Sequence, residues 1–571
     1  MGIEQLKAYE TKFDSWVKEL TLLKLPVRAP LAALHMVADG LFNGSRLNLD
    51  HAPRPEAGNS AAGRYSYLMP LLMGCDTEPL GEDADNALQA VKDTDPDFTQ
   101  MAMLVGYSHF CELMPEVHRG YYLVEGDEEA GFQLRHPSAD FAGHEALDIV
   151  LAELSLSVFL NSPEPLFVDL FDGLARTVPF GDFGEMGRAF NLLNEHYRRY
   201  FNEPPFLTEE RYRAAAGVGI DEFVRFRAAL IAMADFARGM ASAIDRRIRR
   251  EGDPDNRLWK EMLEWISVCW KEAPFFGFLK GLSGLDFDKL ERLVSLFSVD
   301  FRAGKKSGGH ARDGFFPPIA RLEGVVLYNP DLLKLFMTAR NILFAVRHQD
   351  ERLFDDMVSK HLEPSLVQQA ADLLRAVPEL EVVLGYDWRK GGRKGDLDML
   401  VYSAAENAAL HVQAKAAIPP QGARMVQTIE GRVREGLDQL KRLRDLPQAD
   451  RDAVLSQALG RPVSRVEVAD VLLSRSCFGT SKVWSLLGNV VPLNLTLLAG
   501  VTKAARLERR TMSLRGLPSQ VLEEINQLMR QARPQWVTKE AILGPVVFRL
   551  PMLDYDSEAV RVANLRMWAD R

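Results

Sequence analysis

In the first 300 residues, apolar side chains recur at spacings of three and four, the mark of amphipathic helices. Glu4–Leu25 follows this rule. So does Asp221–Arg250, with Asp221 placed as an N-cap. Asn256–Leu282 does too, and its Trp259, Trp265 and Trp270 read as core anchors. Clusters of Pro, Gly, Asn and Asp interrupt the pattern at Asp50–Gly63, Gly74–Asp85 and Asn202–Pro205. The result is a mostly helical N-terminal region, residues 1–300, with an internal break near 165–205 and no internal repeat.

The pattern then changes. Phe301–Gly324 is rich in Gly, Lys and Ser and reads as a flexible connector and the main domain boundary. Its AGKKSGG fragment lacks the GxxxxGK[ST] spacing of a phosphate loop. Beyond it, Asn329–Val377 reads as one or two helices. Glu381–Asp387, Asp396–Ser403, Ala409–Ala416 and Val466–Leu473 read as strands. A turn at Arg389–Gly395 separates the first two, and a long charged helix, Ala423–Leu446, separates the last two. Helix, three strands, helix, strand is the order of an α/β sandwich, assigned to residues 325–571.

Composition narrows the class. A chain of 571 residues with 47% hydrophobic and 26% charged residues is an ordinary globular protein of two to four domains. Its four cysteines are far apart and form no CxxC pair, which argues against a zinc or disulfide framework and predicts a reducing cytoplasm. The N-terminus carries no signal-like run. The longest apolar stretch, Ala146–Leu160, contains Asp148 and Glu153, so it predicts a buried helix and no membrane span. The net charge of −10 is unevenly spread: Asp76–Glu153 holds 18 acidic and 3 basic residues, Lys503–Lys539 holds 8 basic and 3 acidic. An acidic front half suits a protein partner, and a basic back half suits phosphate.

The chemistry concentrates on two adjacent strands. Strand side chains alternate faces, so Asp396 and Asp398 share one side of the first strand. On the next, His411, Gln413 and Lys415 share a side, opposite Leu410, Val412, Ala414 and Ala416. A carboxylate and an amide oxygen are the hard ligands that Mg²⁺ or Mn²⁺ takes. A neighbouring lysine can orient a water and offset charge developing on phosphate.

GDLD, a gap of fourteen residues after Asp398, then QAK resembles the PD-(D/E)xK nuclease signature, in its glutamine variant the Mrr-type restriction endonucleases. The resemblance covers roughly residues 345–480. It implies a restriction-endonuclease-like α/β domain with a mixed central sheet, and a Mg²⁺- or Mn²⁺-dependent endonuclease that hydrolyses phosphodiester bonds, in DNA before RNA. It assigns Asp398, Gln413 and Lys415 as the catalytic set, with Asp398 and Gln413 on the metal. Relatives of this kind place a further acid on a preceding helix, for which Glu363 and Asp355 are the candidates, with Glu351 behind them; Asp396 is an additional acid or a strand cap. Defence against foreign DNA, with the helical half sensing or assembling, follows by the same analogy. Glutamine carries one charge fewer than glutamate, so a nuclease fold that binds nucleic acid without cutting is the alternative. A homo-oligomer fits either reading.

Arg389, Lys390, Arg393 and Lys394 stand just before the first of these strands and read as a phosphate clamp, joined by Arg424 beyond the third strand. Arg432 and Arg434 have Glu430, Glu435 and Asp438 as helical ion-pair neighbours. Arg506, Arg509 and Arg510 form another basic cluster. His118, His136 and His144 fall in no metal-binding frame, and GNSAAG lacks the spacing of a nucleophile elbow.

Overall fold

The computed structural model describes residues 2–43, 65–76, 84–156, 168–176, 183–201, 205–302, 317–418 and 423–568. The expected break at 50–63, most of those at 74–85 and 202–205, and the middle of the connector lie outside these residues.

Among the described residues, three sheets organise the fold. The first joins β1 (Leu123–Asp127), β2 (Gly131–Arg135), β12 (Gln535–Leu543) and β13 (Val546–Asp554) in the order β1-β2-β13-β12. The second joins β3 (Val268–Lys271), β4 (Ser298–Asp300), β5 (Ile319–Leu322) and β6 (Val325–Tyr328) in the order β3-β6-β5-β4. The third joins β7 (Leu380–Lys390), β8 (Arg393–Ser403), β9 (Ala408–Lys415), β10 (Glu467–Ser474) and β11 (Val491–Asn494) in the order β11-β10-β9-β8-β7.

The first two sheets redraw the expected domain plan. The expected boundary at 301–324 falls inside the second sheet, where β4 pairs with β5 and β3 with β6 across it. The last part of the connector is therefore strand, because IARL buries all four of its residues and needs ladder partners. β13 returns from the C-terminal region to run parallel to β2. Tyr9 and Phe13 of the Gly2–Lys18 helix close over that contact with Phe110, Phe132 and Phe548, and the Phe132 and Phe548 rings lie 5.2 Å apart. Residues 535–554 thus belong with the first part of the chain. The turn before β13 uses Gly544, whose φ of 69° suits glycine.

Most helices form as their spacing predicts. Ile220–Glu251 runs through the core, with Ala228–Ala237 buried throughout. Its cap is Gly219, whose N–H the Glu222 carboxylate accepts at 2.7 Å; Asp221 lies inside the first turn and pairs with Arg225. Trp265 and Trp270 pack against the core as expected, but Trp259 is exposed. Among the described residues, no helix is long and apolar enough to cross a membrane.

The third sheet carries the site. β7, β8 and β9 are antiparallel neighbours, while β9, β10 and β11 run parallel. Gly391 and Gly392, both at positive φ, close the β7–β8 hairpin in a two-residue turn, so the strands run further than the sequence suggests. β9 is central and buried at all eight positions. Parallel neighbours need a crossover, here the Ala423–Arg444 and Gln448–Leu459 helices between β9 and β10. The Lys360–Arg375 helix precedes β7. The observed order is thus helix, three antiparallel strands, helices and a parallel strand, a mixed sheet within an α/β region.

Candidate functional site

The β8–β9 ladder stops at Met399↔Val412, although β8 continues beside β7. Asp398 is the first β8 residue past this split. Its Oδ2 accepts the N–H of Ala414 at 2.8 Å, so a side chain satisfies β9 where the next backbone rung would stand. Lys415 follows, and its Nζ lies 3.4 Å from Glu363 Oε1 of the preceding helix. The structure therefore brings Asp398, Lys415 and Glu363 together. The Lys415 side chain is 6% exposed and that of Glu363 33% exposed, so the cluster opens to solvent on the carboxylate side.

The expected polar side of β8 and β9 is not open. The Ala423–Arg444 helix roofs it with a stripe of residues at Arg432, Gly436, Gln439 and Arg444. Arg432 Nη1 donates to the carbonyl of Ala416. Gln439 Nε2 lies 3.5 Å from Asp396 Oδ1. Arg444 reaches Asp470 Oδ2 at 3.2 Å, and Asp470 Oδ1 meets His411 Nδ1 at 3.0 Å. Gly436 lies directly over Lys415: a Cβ there would stand 3.1 Å from Lys415 Cγ, 3.3 Å from its Cε and 2.7 Å from Leu472 Cδ1. A mid-helix glycine lowers helix stability by about 1 kcal/mol relative to alanine. Here its missing side chain leaves the groove in which the Lys415 stem lies.

Gln413 is completely buried. Its Nε2 donates to the Asp396 carbonyl at 2.8 Å. That carbonyl can only accept, so the amide must present nitrogen to it. Gln413 Oε1 is thereby left buried without a hydrogen-bond partner. An unpaired buried acceptor costs about 1–3 kcal/mol, a penalty that a cation or an ordered water would remove.

Burial raises the carboxyl pKa of Asp398 above the usual range, against the pull of the Ala414 N–H and then of Lys415. Burial likewise raises Glu363; Lys415 opposes the shift and the Asp398 charge adds to it. Two desolvated carboxylates held near one ammonium form an electrostatically unsatisfied pair, the usual condition for binding a cation. Asp398 and Glu363 supply hard oxygens and Gln413 Oε1 a buried neutral one, so these residues fit a divalent cation. Among the described residues, no group of three or more His, Cys, Asp or Glu side chains is spaced to hold a metal. A shell built here would take its acidic share from these two carboxylates and the rest from amide, backbone or water oxygen.

The other candidates lie apart. Asp355 is exposed on the wide turn Asp355–Ser359, and Glu351 pairs with Arg347 at 3.7 Å. Asp396 borders the site through its contacts with Gln413 and Gln439. At the hairpin tip, Lys390 lies 3.9 Å from Asp450 and Arg393 3.8 Å from Asp445, while Arg389 and Lys394 are exposed. Arg393 is five residues from Asp398, roughly 16 Å along the strand. The Arg424 side chain lies outside the described residues. Arg432 and Arg434 do not form the helical ion pairs that their neighbours suggest, because Glu430 turns inward to accept from the N–H of Thr480 at 3.1 Å. Arg506 donates to the Ala499 carbonyl, and Arg510 pairs with Glu508. His118 meets Glu10, His144 meets Ser481, and His136 packs on Trp536.

Sequence reasoning missed Gly436 and the contact of Arg432 with β9. An isolated glycine inside a charged helix was the available signal for the first. Compared with known proteins, the chain matches no family profile, no curated protein and no solved structure.

Proposed function

We propose that this protein is a divalent-metal-dependent nuclease that hydrolyses phosphodiester bonds of DNA, with Asp398, Glu363 and Lys415 at its centre. The observation that carries the reading is the split between β8 and β9, where these three groups meet beside an unpaired buried amide oxygen. Asp398, Glu363 and Gln413 Oε1 would hold Mg²⁺ or Mn²⁺, which when bound acidifies water and neutralises charge on a phosphoryl oxygen. The Ala414 N–H holds Asp398 through Oδ2, which would leave Oδ1 to meet a cation. Lys415, held between Glu363 and the Gly436 groove, would set its side-chain nitrogen beside the site. There it can orient an attacking water and offset charge on the pentacoordinate phosphate. Of the two helix acids expected from the sequence, this reading keeps Glu363 and drops Asp355, and it leaves the hairpin-tip cations at the periphery. A place in defence against foreign DNA fits such chemistry and rests on analogy alone.

The test is conversion of supercoiled plasmid to nicked and linear forms with Mg²⁺, Mn²⁺ or EDTA, for the wild-type chain and Asp398→Asn. Metal-dependent cutting lost in the variant supports the reading. Equal cutting by both removes Asp398 from it.

A second reading has its own observation. With two carboxylates and a neutral amide, the site is poor in charge, and metal affinity falls with charge count. A protein that binds nucleic acid without cutting it would show metal-independent binding in the same assay and no nicked product.

A further inference from the structure

The Ala423–Arg444 helix has a second functional face. Gln427, Glu430 and Arg434 are spaced three and four apart, so they share a side, turned away from Arg432 and Gly436. Across from that side stand Arg119, at the end of the Thr99–His118 helix, and Lys482, in the Ser481–Trp484 turn. The contacts are direct. Arg119 Nε donates to Gln427 Oε1 at 3.0 Å and Nη1 to the Pro115 carbonyl at 3.0 Å. Lys482 Nζ donates to the Arg119 carbonyl at 2.9 Å, and Arg434 Nη2 reaches the Lys482 carbonyl at 3.5 Å. Every one of these acceptors is neutral.

Among the described residues, Arg119, Arg434 and Lys482 have no carboxylate within ion-pair distance, whereas Arg347, Arg549 and Arg566 pair with carboxylates. The carboxylates beneath the patch are turned inward. Asp148 accepts the N–H groups of Phe478 and Gly479 and the Trp484 indole, and Glu430 accepts from Thr480. Glu145, whose charge does reach Lys482, is buried and pushed up to about 8, so it is largely protonated at neutral pH and does not cancel the patch. Three cations from three elements are thus held together by neutral partners, and Lys482 and Arg434 are exposed.

The placement of Arg119 is also informative. It is one of only three basic residues in the acidic run Asp76–Glu153. Tyr121 and Phe141 pack against Val426 of the helix that roofs the site and so fix Arg119 at this junction. The first part of the chain therefore brings one cation to the helix that also positions Lys415. A helix is about 10–12 Å across, or roughly three base steps at 3.4 Å per step.

We propose that Arg119, Arg434 and Lys482 form a docking surface for the phosphate backbone of the nucleic acid whose bond is cut beside Lys415, one to which the helical half of the chain contributes directly. The proposal rests on the nuclease reading for the identity of the partner, and its test does not require cutting. Binding of a fluorescein-labelled DNA duplex to the full-length Lys415→Ala chain in EDTA is measured by anisotropy from 50 to 200 mM salt. Adding Arg119→Gln, Arg434→Gln and Lys482→Gln should weaken binding at least about tenfold and reduce the slope of log K against log salt by about 2.7, at ~0.9 per phosphate contact. The exposed single change Arg434→Gln should reduce it by about 0.9, which keeps the test valid if the triple variant fails to fold. An unchanged slope in both variants overturns the proposal. So does a slope that falls only when Arg389 and Lys394 at the hairpin tip are replaced, because the clamp is then there. Absence of plasmid cutting by the wild-type chain, with this binding intact, would count against the nuclease reading and leave the docking surface standing.

Discussion

Gly436→Ala is the most revealing single change. It exchanges a hydrogen for a methyl group that would stand 2.7 Å from Leu472 Cδ1, 3.1 Å from Lys415 Cγ and 3.3 Å from Lys415 Cε. Two effects compete. Alanine in place of glycine favours the helix by about 1 kcal/mol. Overpacking a filled space costs ~1–3 kcal/mol. The net effect on folding is about 0–2 kcal/mol of destabilisation, because Leu472 and Lys415 are side chains that can shift by a few tenths of an ångström. The effect on chemistry is larger. A shift of the Lys415 stem carries its ammonium away from Glu363, and a misplacement of about 1 Å in a reacting group lowers rates on the order of 100-fold. The expected result is a Tm within a few degrees of wild type, DNA binding in EDTA unchanged, and Mg²⁺-dependent plasmid nicking reduced about 10–100-fold. Wild-type nicking in Gly436→Ala, with Lys415→Ala inactive, would refute the argument that the glycine holds the lysine in place.

Two further predictions follow from the same structure. Phe548→Ala removes a fully buried ring from the Tyr9–Phe110–Phe132 cluster and should cost ~3–5 kcal/mol in urea denaturation; a loss under about 1 kcal/mol would contradict the assignment of residues 535–554 to the first part of the fold. Burial first, then the charges of Glu116, Asp148 and Glu430, raise Glu145 from 4.5 to about 8. Across that window the folded state holds a proton that the unfolded chain releases, so stability is full at low pH and falls as pH rises, by on the order of a few kcal/mol. Glu145→Gln should flatten the decline and melt above wild type at pH 8 but not at pH 5, and parallel Tm curves would contradict the burial of this carboxyl.

Much of the third sheet is readable from the sequence, because alternation and turn residues are local signals. The GG turn, the apolar side of β9 and the charged crossover helix all appear where periodicity places them. Glu363 is also foreseeable, as an acid on the helix before the strands. What is not legible depends on contacts between distant segments. Nothing in QWVTKEAIL tells that β12 and β13 complete a sheet begun at residue 123, since a strand's sequence does not name its partner. The connector reads as flexible because its glycines and lysines dominate, although its flanks are strands. Alternation gives Asp398 and Lys415 a common side and cannot tell whether that side meets water or another helix. The roof made by Arg432, Gly436, Gln439 and Arg444 is a tertiary fact. The same holds for the hairpin cations Arg393 and Lys390, whose partners Asp445 and Asp450 lie far along the chain.

The proposed chemistry needs Lys415 to act beside a cation held by Asp398 and Glu363. Single-turnover cleavage of a labelled DNA duplex in Mg²⁺ compares wild type with Lys415→Ala at saturating protein. The expected rate is at least about 100-fold lower in the variant, with equal Tm and equal binding in EDTA. Equal rates for the two proteins would contradict it.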